Sequence, residues 1–588
     1  MQGIQLDLVA DQQTFANFNK SLLRPNSILF GYGYSFVNVT TLPSYHLDTF
    51  NVPFAVKDGI WYKIKSVLDG ETLSVSVDQV EIFKIVLKDY YIGDTQPSGA
   101  GIPSQGSFGF GGWQDQAGHV RNVVAYDTSN LTEIYRNTLT DAEGSVAKEY
   151  GVQANYEAAC LDGPKRDRLV WLGDLLHTVR IVAASTSRSD LIRATLQLLL
   201  DWQTPSGLLP YAPPLGYDPS TASEAFATGG AAYFMRNEVY GILLVDYQIL
   251  GVLSFTEYVR LSNDLEFANK TWAQWKASLE YLSLGINQTT GLLSVSSAFL
   301  GPSKGGSAIN CALAQAFSEI ADVADALGRT TDASDFHQKA TDLASAINKN
   351  LWNEELGIYG ISPADLNSIS VPSMAFCITS GTATSQQAER FISALDTLKV
   401  GPGYMDSSTT NSSDPGLKIS PNTNGFLLQA LLAQDTSAAA NTSLELIKSL
   451  WTPMISDKKT NTGASWEYVD KQGGPGLGLY TSLSHPWGGA PTYLLTQWAV
   501  GIQTAAGARG FGYQEWVIAP QMGVNMGLKK VSGTVMTIHG SLKVEWRLED
   551  GDMHIVVEAP VQTKGVFKIG RTEEKLSGAS RYQFSIHL

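Results

Sequence analysis

Residues 162–174 read Asp-Gly-Pro-Lys-Arg-Asp-Arg-Leu-Val-Trp-Leu-Gly-Asp. These thirteen residues hold three carboxylates, three cations and a tryptophan, whereas only 16% of the whole chain is charged. Carboxylates clustered beside an aromatic plane are typical of a site that binds a sugar and transfers a proton. The alternative is a solvated helix N-terminus, where the helix dipole favours acidic side chains.

The same stretch predicts the start of a helix. Gly163-Pro164 keeps the first residues out of it, because proline fixes φ and has no N–H to donate. A helix that begins near Arg166 would bury the apolar side chains that follow, which are Leu169, Val170, Leu172, Leu175 and Leu176. Asp162 and Asp167 would then lie at the entry of this helix, and Asp174 two turns further on.

Length and charge limit the classes of protein. A chain of 588 residues predicts about three or four domains. Its 44% hydrophobic and 10% aromatic residues are sufficient for large packed cores. A net charge of −15 and a pI near 5.0 argue against nucleic acid or an anionic membrane as the main partner.

Cysteine content and apolar runs exclude further classes. Cys160, Cys311 and Cys377 allow at most one disulfide and match no zinc motif. No apolar run reaches the length of a transmembrane helix. The first residues lack a basic segment followed by an apolar one, so no signal peptide is visible. No His-Glu-x-x-His, EF-hand or phosphate-loop motif is present, and we predict neither a metal nor a cofactor.

Asn-x-Ser/Thr sequons nevertheless favour a secreted glycoprotein. Their number exceeds the few expected by chance, and such sequons mark surface positions in secreted proteins. An N-terminus that has been removed or truncated would reconcile them with the missing signal peptide. The seven asparagines are Asn19, Asn38, Asn130, Asn269, Asn287, Asn411 and Asn441.

Residues 1–150 predict a β domain. Leu73, Val75 and Val77 alternate with polar residues, and a second short run follows at residues 80–82. Residues 93–112 are rich in Gly, Pro and Ser and predict a long loop, and residues 120–126 predict another strand. This spacing suits a β-sandwich or jelly-roll.

Residues 151–505 change to a helical period. Apolar residues between Leu313 and Leu327 follow helical spacing, and Gly328 is a C-terminal stop. Further helices are predicted around Leu343 to Leu351, Leu444 to Trp451, and Pro491 to Trp498. Roughly ten to twelve such segments suit a toroid of helical hairpins, an (α/α)6 barrel, although periodicity does not distinguish it from an α-solenoid.

Residues 506–588 return to β structure. Leu542, Val544, Trp546 and Leu548 alternate with charged residues, and Asp550-Gly551 makes a turn before the alternation resumes. We therefore predict a multidomain chain in which a central (α/α)6 barrel is flanked by an N-terminal β-sandwich or jelly-roll and a C-terminal antiparallel β-sandwich.

Two later stretches add candidate site residues. Trp466-Glu467 combines a carboxylate with an aromatic ring before a Gly-rich segment, which suits a base that lines a cleft. His485 and Trp487 precede the helix start at Pro491-Thr492, where they could contact a sugar by a hydrogen bond and by ring stacking. The alternative is that Trp466 and Trp487 are core aromatics and His485 packs within a loop.

Together these stretches resemble glycoside hydrolase family 78, the α-L-rhamnosidases. Residues 162–174 match nearly throughout the family's signature Asp-x-Pro-x-Arg-Glu-Arg-Leu-x-Trp-x-Gly-Asp. The Trp466-Glu467 loop and residues 482–492 are similar to later family segments, and residues 107–116 to a segment of fungal members. The resemblance extends over residues 100–588.

The resemblance implies an inverting hydrolysis of terminal α-L-rhamnosides. Asp167 stands where the family has its acid glutamate, and Glu467 where it has its base. An inverting pair needs its carboxyl groups roughly 6.5 to 9.5 Å apart, which leaves room for water. The substrate-binding residues would be Asp162, Arg166, Trp171, Asp174, Trp466, His485 and Trp487.

Two departures from the family pattern bear on activity and specificity. Asp167 is one methylene shorter than the family's glutamate. Where family members often carry an Asp-Trp pair that helps to form the sugar pocket, residues 296–300 read Ser-Ser-Ala-Phe-Leu. The alternatives are therefore another (α/α)6 exo-glycosidase, a polysaccharide lyase, or a carbohydrate-binding protein without turnover.

Overall fold

The computed structural model describes residues 2–11, 24–34, 45–90, 108–111, 118–140, 144–149, 155, 158–165, 167–213, 215–216, 244–295 and 297–588. Contacts divide the chain into two compact units. The first comprises residues 1–154 with 215–218, and the second comprises residues 155–214 with 219–588. None of the helices in the described ranges has the length and apolarity needed to cross a bilayer.

The first unit is built from short antiparallel sheets. The predicted alternation at Leu73, Val75 and Val77 is confirmed, since all three lie in one strand and are buried. They share a hydrophobic core with Phe30 and Phe83 of other strands. Most of the predicted loop 93–112 lies outside the described residues. The strands are β1 (Gln2–Val9), β2 (Ser27–Tyr34) and β3 (Tyr45–Asn51) in one sheet, β4 (Ile64–Asp69), β5 (Thr72–Val77) and β6 (Val80–Val86) in a second, and β7 (Val123–Tyr126) and β8 (Glu133–Asn137) in a hairpin, followed by helix α1 (Ser145–Glu149).

The second unit begins with helices that pack as a chain of neighbours. They are α2 (Leu175–Ser185), α3 (Ser189–Asp201), α4 (Val245–Ser262), α5 (Leu265–Ser283), α6 (Ser307–Ala326), α7 (Thr330–Leu351), α8 (Val371–Thr379), α9 (Ser385–Ser393), α10 (Pro421–Leu432), α11 (Ser437–Leu446), α12 (Thr452–Ser456) and α13 (Pro491–Leu494). π-helical turns at Ile447–Trp451 and Leu495–Val500 extend α11 and α13. The predicted helices at Leu313, Leu343, Leu444 and Pro491 are confirmed.

Two kinds of helix alternate along this part of the chain. α4, α6, α8 and α10 are buried almost all round, whereas α7 buries a single face. Contacts run from α2 to α4, α6, α8, α10 and α13 in turn, and α13 contacts α2 again. All-round burial marks helices enclosed by others, and a one-sided apolar stripe marks helices that face solvent.

Local sequence signals begin and end several of these helices. Ser370, Thr384 and Ser420 occupy N-cap positions, and the side chain of each accepts a hydrogen bond from a backbone N–H in the first turn. Pro421 occupies the first turn of α10, where its missing N–H costs nothing. Gly328 follows α6 with φ of 70°, the left-handed conformation predicted for a helix stop.

Cys311 and Cys377 form a disulfide that links α6 to α8. Both cysteines are buried, and Cys160 is unbridged. The disulfide therefore links two helices of the buried set.

The unit ends in two four-stranded sheets that share one hydrophobic core. The predicted hairpin is confirmed: Asp550 and Gly551 join the two strands, both with positive φ. One sheet has the order β15 (Ile502–Thr504), β16 (Glu515–Ile518), β20 (Lys564–Ile569) and β21 (Thr572–Ser577), and the other β17 (Lys530–Thr537), β18 (Gly540–Glu549), β19 (Asp552–Glu558) and β22 (Arg581–His587). Helix α14 (Gln521–Asn525) connects them.

The prediction of an antiparallel domain was wrong for one strand pair. β16 and β20 run parallel, and Trp516 lies opposite Gly565. The chain passes through three strands of the other sheet between β16 and β20, so it returns to the first sheet in the same direction. Two-residue strands in the helical part pair as β9 (Trp352–Asn353) with β10 (Ile358–Tyr359), β11 (Lys399–Val400) with β12 (Gly403–Tyr404), and β13 (Lys418–Ile419) with β14 (Val469–Asp470).

Candidate active site

The charged stretch forms a loop, and the predicted helix start near Arg166 was wrong. Asp162 Oδ1 accepts a hydrogen bond of 2.8 Å from the Leu169 N–H, and the Asp162 N–H donates to the Leu169 carbonyl at 3.0 Å. Asp167 and Arg168 have φ of 56° and 51°, which a right-handed helix excludes. The apolar side chains at 170, 172, 175 and 176 are buried as predicted, but the helix begins only at Leu175, after Asp174.

This loop brings three acidic groups to one place. Asp162 and Asp174 are only 3% and 6% exposed, whereas Asp167 is half-buried. Asp174 Oδ2 lies 3.1 Å from His485 Nε2, and its Oδ1 accepts a hydrogen bond of 3.5 Å from the Tyr247 hydroxyl. Because a carboxylate only accepts, Nε2 of His485 carries the hydrogen in this contact.

A second loop holds Glu467 by hydrogen bonds to its neighbouring segment. The Glu467 N–H donates to the Ser482 carbonyl at 2.9 Å, and Glu467 Oε2 accepts from the Ser482 N–H at 3.1 Å. The Trp487 indole N–H donates to the Glu467 carbonyl at 3.0 Å. A buried carboxylate is thereby fixed in position beside His485 and Trp487.

The two loops are in direct contact at Gly163. A Cβ atom on this residue would lie 2.6 Å from Ser482 Oγ, 3.0 Å from His485 Nδ1 and 3.1 Å from the Ser484 carbonyl oxygen. Any larger residue would therefore separate the loops. Gly163, which occupies a variable position of the signature, lets the segment that carries Asp162 approach the segment that supports Glu467.

Burial and mutual repulsion change the protonation of this cluster. Burial, together with the negative charges of Asp174 and Asp167, raises the pKa of Asp162 to about 7, although the Leu169 N–H and His485 oppose the shift. Burial also raises the pKa of Asp174, against the effect of its contact with His485. Near neutral pH the cluster therefore holds a proton that isolated aspartates would have released.

Three buried polar atoms of the site have no hydrogen-bond partner among the described residues. They are Asp162 Oδ2, Trp171 Nε1 and His485 Nδ1. Buried polar groups in native proteins are almost always satisfied by protein, water or ligand. Sugar hydroxyls both donate and accept, so a bound sugar is suited to this combination of acceptors and a donor.

Aromatic rings form a continuous series around these groups, which we call the aromatic wall. In order of contact, its members are Tyr211, Trp171, Tyr247, Phe299, Trp487 and Tyr468. Successive ring centroids lie between 5.3 and 6.3 Å apart. Tyr211 and Tyr247 belong to no recognised motif, so the sequence did not identify them as site residues. Phe299 lies in the segment that lacks the family's Asp-Trp pair, and for that reason it was not a candidate either. Tyr468 could have been found, since it adjoins Glu467.

The remaining predicted site residues differ in their surroundings. The Trp466 ring is 0% exposed and its N–H donates to Thr462 Oγ1 at 2.8 Å, so it packs in the core, which is the alternative that the sequence left open. Trp487 is buried, but it belongs to the aromatic wall. Arg166 lies outside the described residues.

The described part of the chain has one group of possible metal ligands. Asp322, Asp325 and His337 bring their ligand atoms within 4.8 Å of one another, and the latter two are exposed. The group lies on α6 and α7, remote in sequence from the loops of the candidate site. Exposed acidic groups of this kind are common without an ion.

Two family models match the chain. One describes the bacterial α-L-rhamnosidase six-hairpin glycosidase domain and matches residues 145–397. The other describes the bacterial α-L-rhamnosidase C-terminal domain and matches residues 501–583. Together they match more than half of the chain. The chain belongs to glycoside hydrolase family 78. A multidomain architecture with a six-hairpin glycosidase domain, N-terminal strands and C-terminal β-sheets follows from this membership and from the fold.

Solved structures of family 78 share the fold. The rhamnosidase of Bacillus sp. GL1 matches with a TM-score of 0.54 and 19% identity over 70% of this chain and 40% of its own. The Streptomyces avermitilis α-L-rhamnosidase complexed with L-rhamnose matches with a TM-score of 0.53 and 15% identity, over 74% of this chain and 40% of its own. The Aspergillus terreus α-L-rhamnosidase matches with a TM-score of 0.51 and 13% identity, over 100% of this chain and 61% of its own. No curated protein sequence matches the chain. The chain thus spans less than two thirds of the length of these three enzymes.

Proposed function

We propose that this protein is an inverting α-L-rhamnosidase that removes terminal α-L-rhamnose from glycosides or polysaccharides. The observation that carries the proposal is the contact at Gly163, where the loop with three aspartates meets the loop that fixes Glu467. Membership of family 78 supports rhamnose as the sugar, and the Streptomyces avermitilis relative is a complex with L-rhamnose.

The reaction needs one group that gives a proton and one that takes a proton. Asp167 protonates the glycosidic oxygen while the bond from this oxygen to the anomeric carbon breaks. Glu467 takes a proton from a water molecule as that water attacks the anomeric carbon from the opposite face. The sugar leaves with an inverted anomeric centre, the leaving group departs as an alcohol, and exchange with solvent restores both carboxyl groups.

Other residues bind the sugar in this proposal. Asp162 Oδ2 and His485 Nδ1 bond to hydroxyl groups, and Trp171 Nε1 donates to a hydroxyl oxygen. Asp174 orients His485 and adds an acceptor. We assign Arg166 and Trp487 to the same substrate-binding set, whereas Trp466, which packs in the core, supports the loop of Glu467 and does not itself contact the sugar. The partner in this proposal is a carbohydrate, as family membership supports, and the net charge of −15 argues against nucleic acid or an anionic membrane.

We further propose the finer architecture. α2, α4, α6, α8, α10 and α13 are the inner ring of an (α/α)6 barrel, which is supported by their successive contacts and by the return contact from α13 to α2. The two C-terminal sheets form a β-sandwich around their common core. The N-terminal strands belong to a β-sandwich or jelly-roll, and the domains span residues 1–150, 151–505 and 506–588.

Secretion and glycosylation complete the proposal. The Cys311–Cys377 disulfide supports an oxidising compartment, because disulfides are rare in reducing ones. The sequon asparagines within the described residues are exposed, which glycosylation requires; they are Asn130, Asn269, Asn287, Asn411 and Asn441. Intact mass before and after deglycosylation of the secreted protein tests this part.

Hydrolysis of aryl glycosides tests the function. Wild type, Asp167→Asn and Glu467→Gln are assayed on aryl α-L-rhamnoside, with the exposed Glu355→Gln as a matched control. Loss of a general acid or base should lower kcat about 10² to 10⁴-fold, while the control retains wild-type rates. Because an aryl leaving group needs little protonation, the Asp167→Asn loss should be larger on a rhamnose-containing disaccharide. Proton NMR during turnover should detect the β-anomer first.

Each contrary outcome points to a named alternative. If wild type cleaves a different glycoside and both Asp167→Asn and Glu467→Gln lose that activity, the proposed mechanism is retained and only the assignment of rhamnose as the substrate sugar is wrong. An ultraviolet-absorbing product from a uronate polymer would indicate a lyase. Sugar binding without any released sugar would leave a carbohydrate-binding protein and refute the enzyme.

A further inference from the structure

Phe299 occupies the segment where the family's Asp-Trp pair is missing. Its ring centroid lies 5.8 Å from that of Tyr247 and 6.3 Å from that of Trp487, so it is a member of the aromatic wall. Its side chain is 42% exposed, although its ring neighbours Tyr247 and Trp487 are both buried. An aromatic ring supported by buried rings and open on one side offers apolar surface for a ligand to cover.

Asp246 on a different element holds this segment in position. This residue lies in the first turn of α4, is 1% exposed, and accepts through Oδ2 from the Phe299 N–H at 2.8 Å and the Leu300 N–H at 2.6 Å. The Val245 N–H donates to the Ser297 carbonyl at 3.1 Å. An acid and an aromatic residue 53 positions apart are thus combined where the family has an adjacent pair.

Contacts of Phe299 reach both halves of the candidate site. Tyr247 hydrogen-bonds to Asp174, and the Trp487 indole hydrogen-bonds to the Glu467 carbonyl. The ring of Phe299 therefore bridges the side of the aspartates and the side of Glu467. In an inverting glycosidase the group enclosed between these two sides is the terminal sugar, not the leaving group.

We propose that Phe299, positioned by Asp246, determines which terminal sugar is accepted, by covering the C6 methyl group of a 6-deoxyhexose. The inference rests on the proposed function. A phenyl ring can neither donate nor accept a conventional hydrogen bond, so it favours a methyl group over a hydroxymethyl group whose hydroxyl would lose its water partners. An apolar pocket rejects an added hydroxyl by about 100-fold at most.

Selectivity between two sugars that differ at C6 tests the proposal. Rhamnose is 6-deoxymannose, so the kcat/KM ratio of 4-nitrophenyl α-L-rhamnoside to 4-nitrophenyl α-L-mannoside isolates this contact. We expect a wild-type ratio of about 100 and a ratio of about 10 or lower for Phe299→Ala, with most of the loss in KM for the rhamnoside. Phe299→Leu keeps an apolar side chain and should restore most of the ratio.

Two further variants separate positioning from a general disturbance. Asp246→Asn should lower the kcat/KM ratio, as Phe299→Ala does, but with a smaller change in kcat for the rhamnoside. The reason is that the substitution weakens the hydrogen bonds that hold the Phe299 segment and leaves the Phe299 ring in place. Leu284→Ala removes an apolar side chain that is 84% exposed on α5's C-terminal side and should leave the ratio unchanged. If Asp246→Asn fails to fold, Phe299→Ala and Phe299→Leu decide the proposal.

The possible failures are distinguishable. If wild type hydrolyses neither sugar, the proposed function fails and this inference fails with it. If wild type hydrolyses the rhamnoside but Phe299→Ala leaves the ratio at its wild-type value, only the inference is overturned. An unchanged ratio combined with altered preference between aryl and alkyl rhamnosides would assign Phe299 to the leaving group and would likewise overturn it.

Discussion

Replacing Gly163 by alanine tests the contact between the two loops of the site. The added Cβ would lie 2.6 Å from Ser482 Oγ, whereas an ordinary contact begins at about 3.4 Å, so an overlap of about 0.8 Å must be relieved. Ser482 Oγ can rotate away, but the Ser484 carbonyl at 3.1 Å is backbone, and His485 is held by its contact with Asp174. The two loops must therefore move apart by a few tenths of an ångström.

The expected cost follows from this displacement. Overpacking of a buried contact costs about 1–3 kcal/mol of stability. A displacement approaching 1 Å between catalytic groups can lower the rate about 100-fold, so we expect kcat on aryl α-L-rhamnoside to fall about 10- to 100-fold. Chemical denaturation gives the free energy of unfolding, and initial rates give kcat.

Gly118→Ala is the matched control, because no atom of the described residues lies within 4 Å of its added Cβ and its φ does not exclude alanine. Adding Ser482→Ala to Gly163→Ala removes the closest overlap and should recover part of both losses. If Gly163→Ala and Gly118→Ala have the same unfolding free energy, the direct contact between the loops is refuted, whatever the activity of the protein.

Three further predictions concern stability. Burial raises the pKa of Asp162 to about 7, so between about pH 4 and pH 7 the folded protein binds more protons than the unfolded chain. The contribution of Asp162 to the free energy of unfolding is therefore fully present below pH 4 and is lost as the pH rises through 7. Asp162→Asn should therefore be more stable relative to wild type at pH 8 than at pH 5, by up to about 2.6 kcal/mol; equal differences at both pH values would contradict the shift. The double substitution Cys311→Ser and Cys377→Ser removes a disulfide between residues 66 positions apart and should lower the free energy of unfolding by about 4 kcal/mol under non-reducing conditions. Wild type measured with reductant should have the same free energy of unfolding as this variant. Arg180→Met removes a buried guanidinium 2.7 Å from the buried Glu257 and should cost about 3 kcal/mol by denaturation; an unchanged midpoint would show that the remaining partners of Glu257 are sufficient.

Local signals in the sequence were enough to predict the order of β, helical and β segments. Alternation at Leu73 to Val77 and at Leu542 to Leu548 was confirmed because one face of each strand packs on a core, and that demand has a period of two. Gly328 and the Asp550-Gly551 turn were confirmed because positive φ is a property of a few adjacent residues.

The helix predicted from Arg166 shows where local signals fail. The spacing of apolar residues there is equally compatible with a loop that buries the same side chains. The loop is fixed by hydrogen bonds between Asp162 and Leu169, one to the Asp162 carboxylate and one between backbone groups. Periodicity describes which residues are buried. It does not describe which hydrogen bonds the backbone makes when a polar side chain offers an alternative.

The sequence by itself determined the candidate chemistry: the acids at 162, 167, 174 and 467, the histidine at 485, and the family resemblance that relates them. Only the tertiary structure decided that Gly163 brings these loops together, that Asp246 anchors Phe299, and that Cys311 rather than Cys160 pairs with Cys377. Such contacts join residues dozens to hundreds of positions apart. They depend on how whole helices pack, and no pattern within one segment specifies that packing.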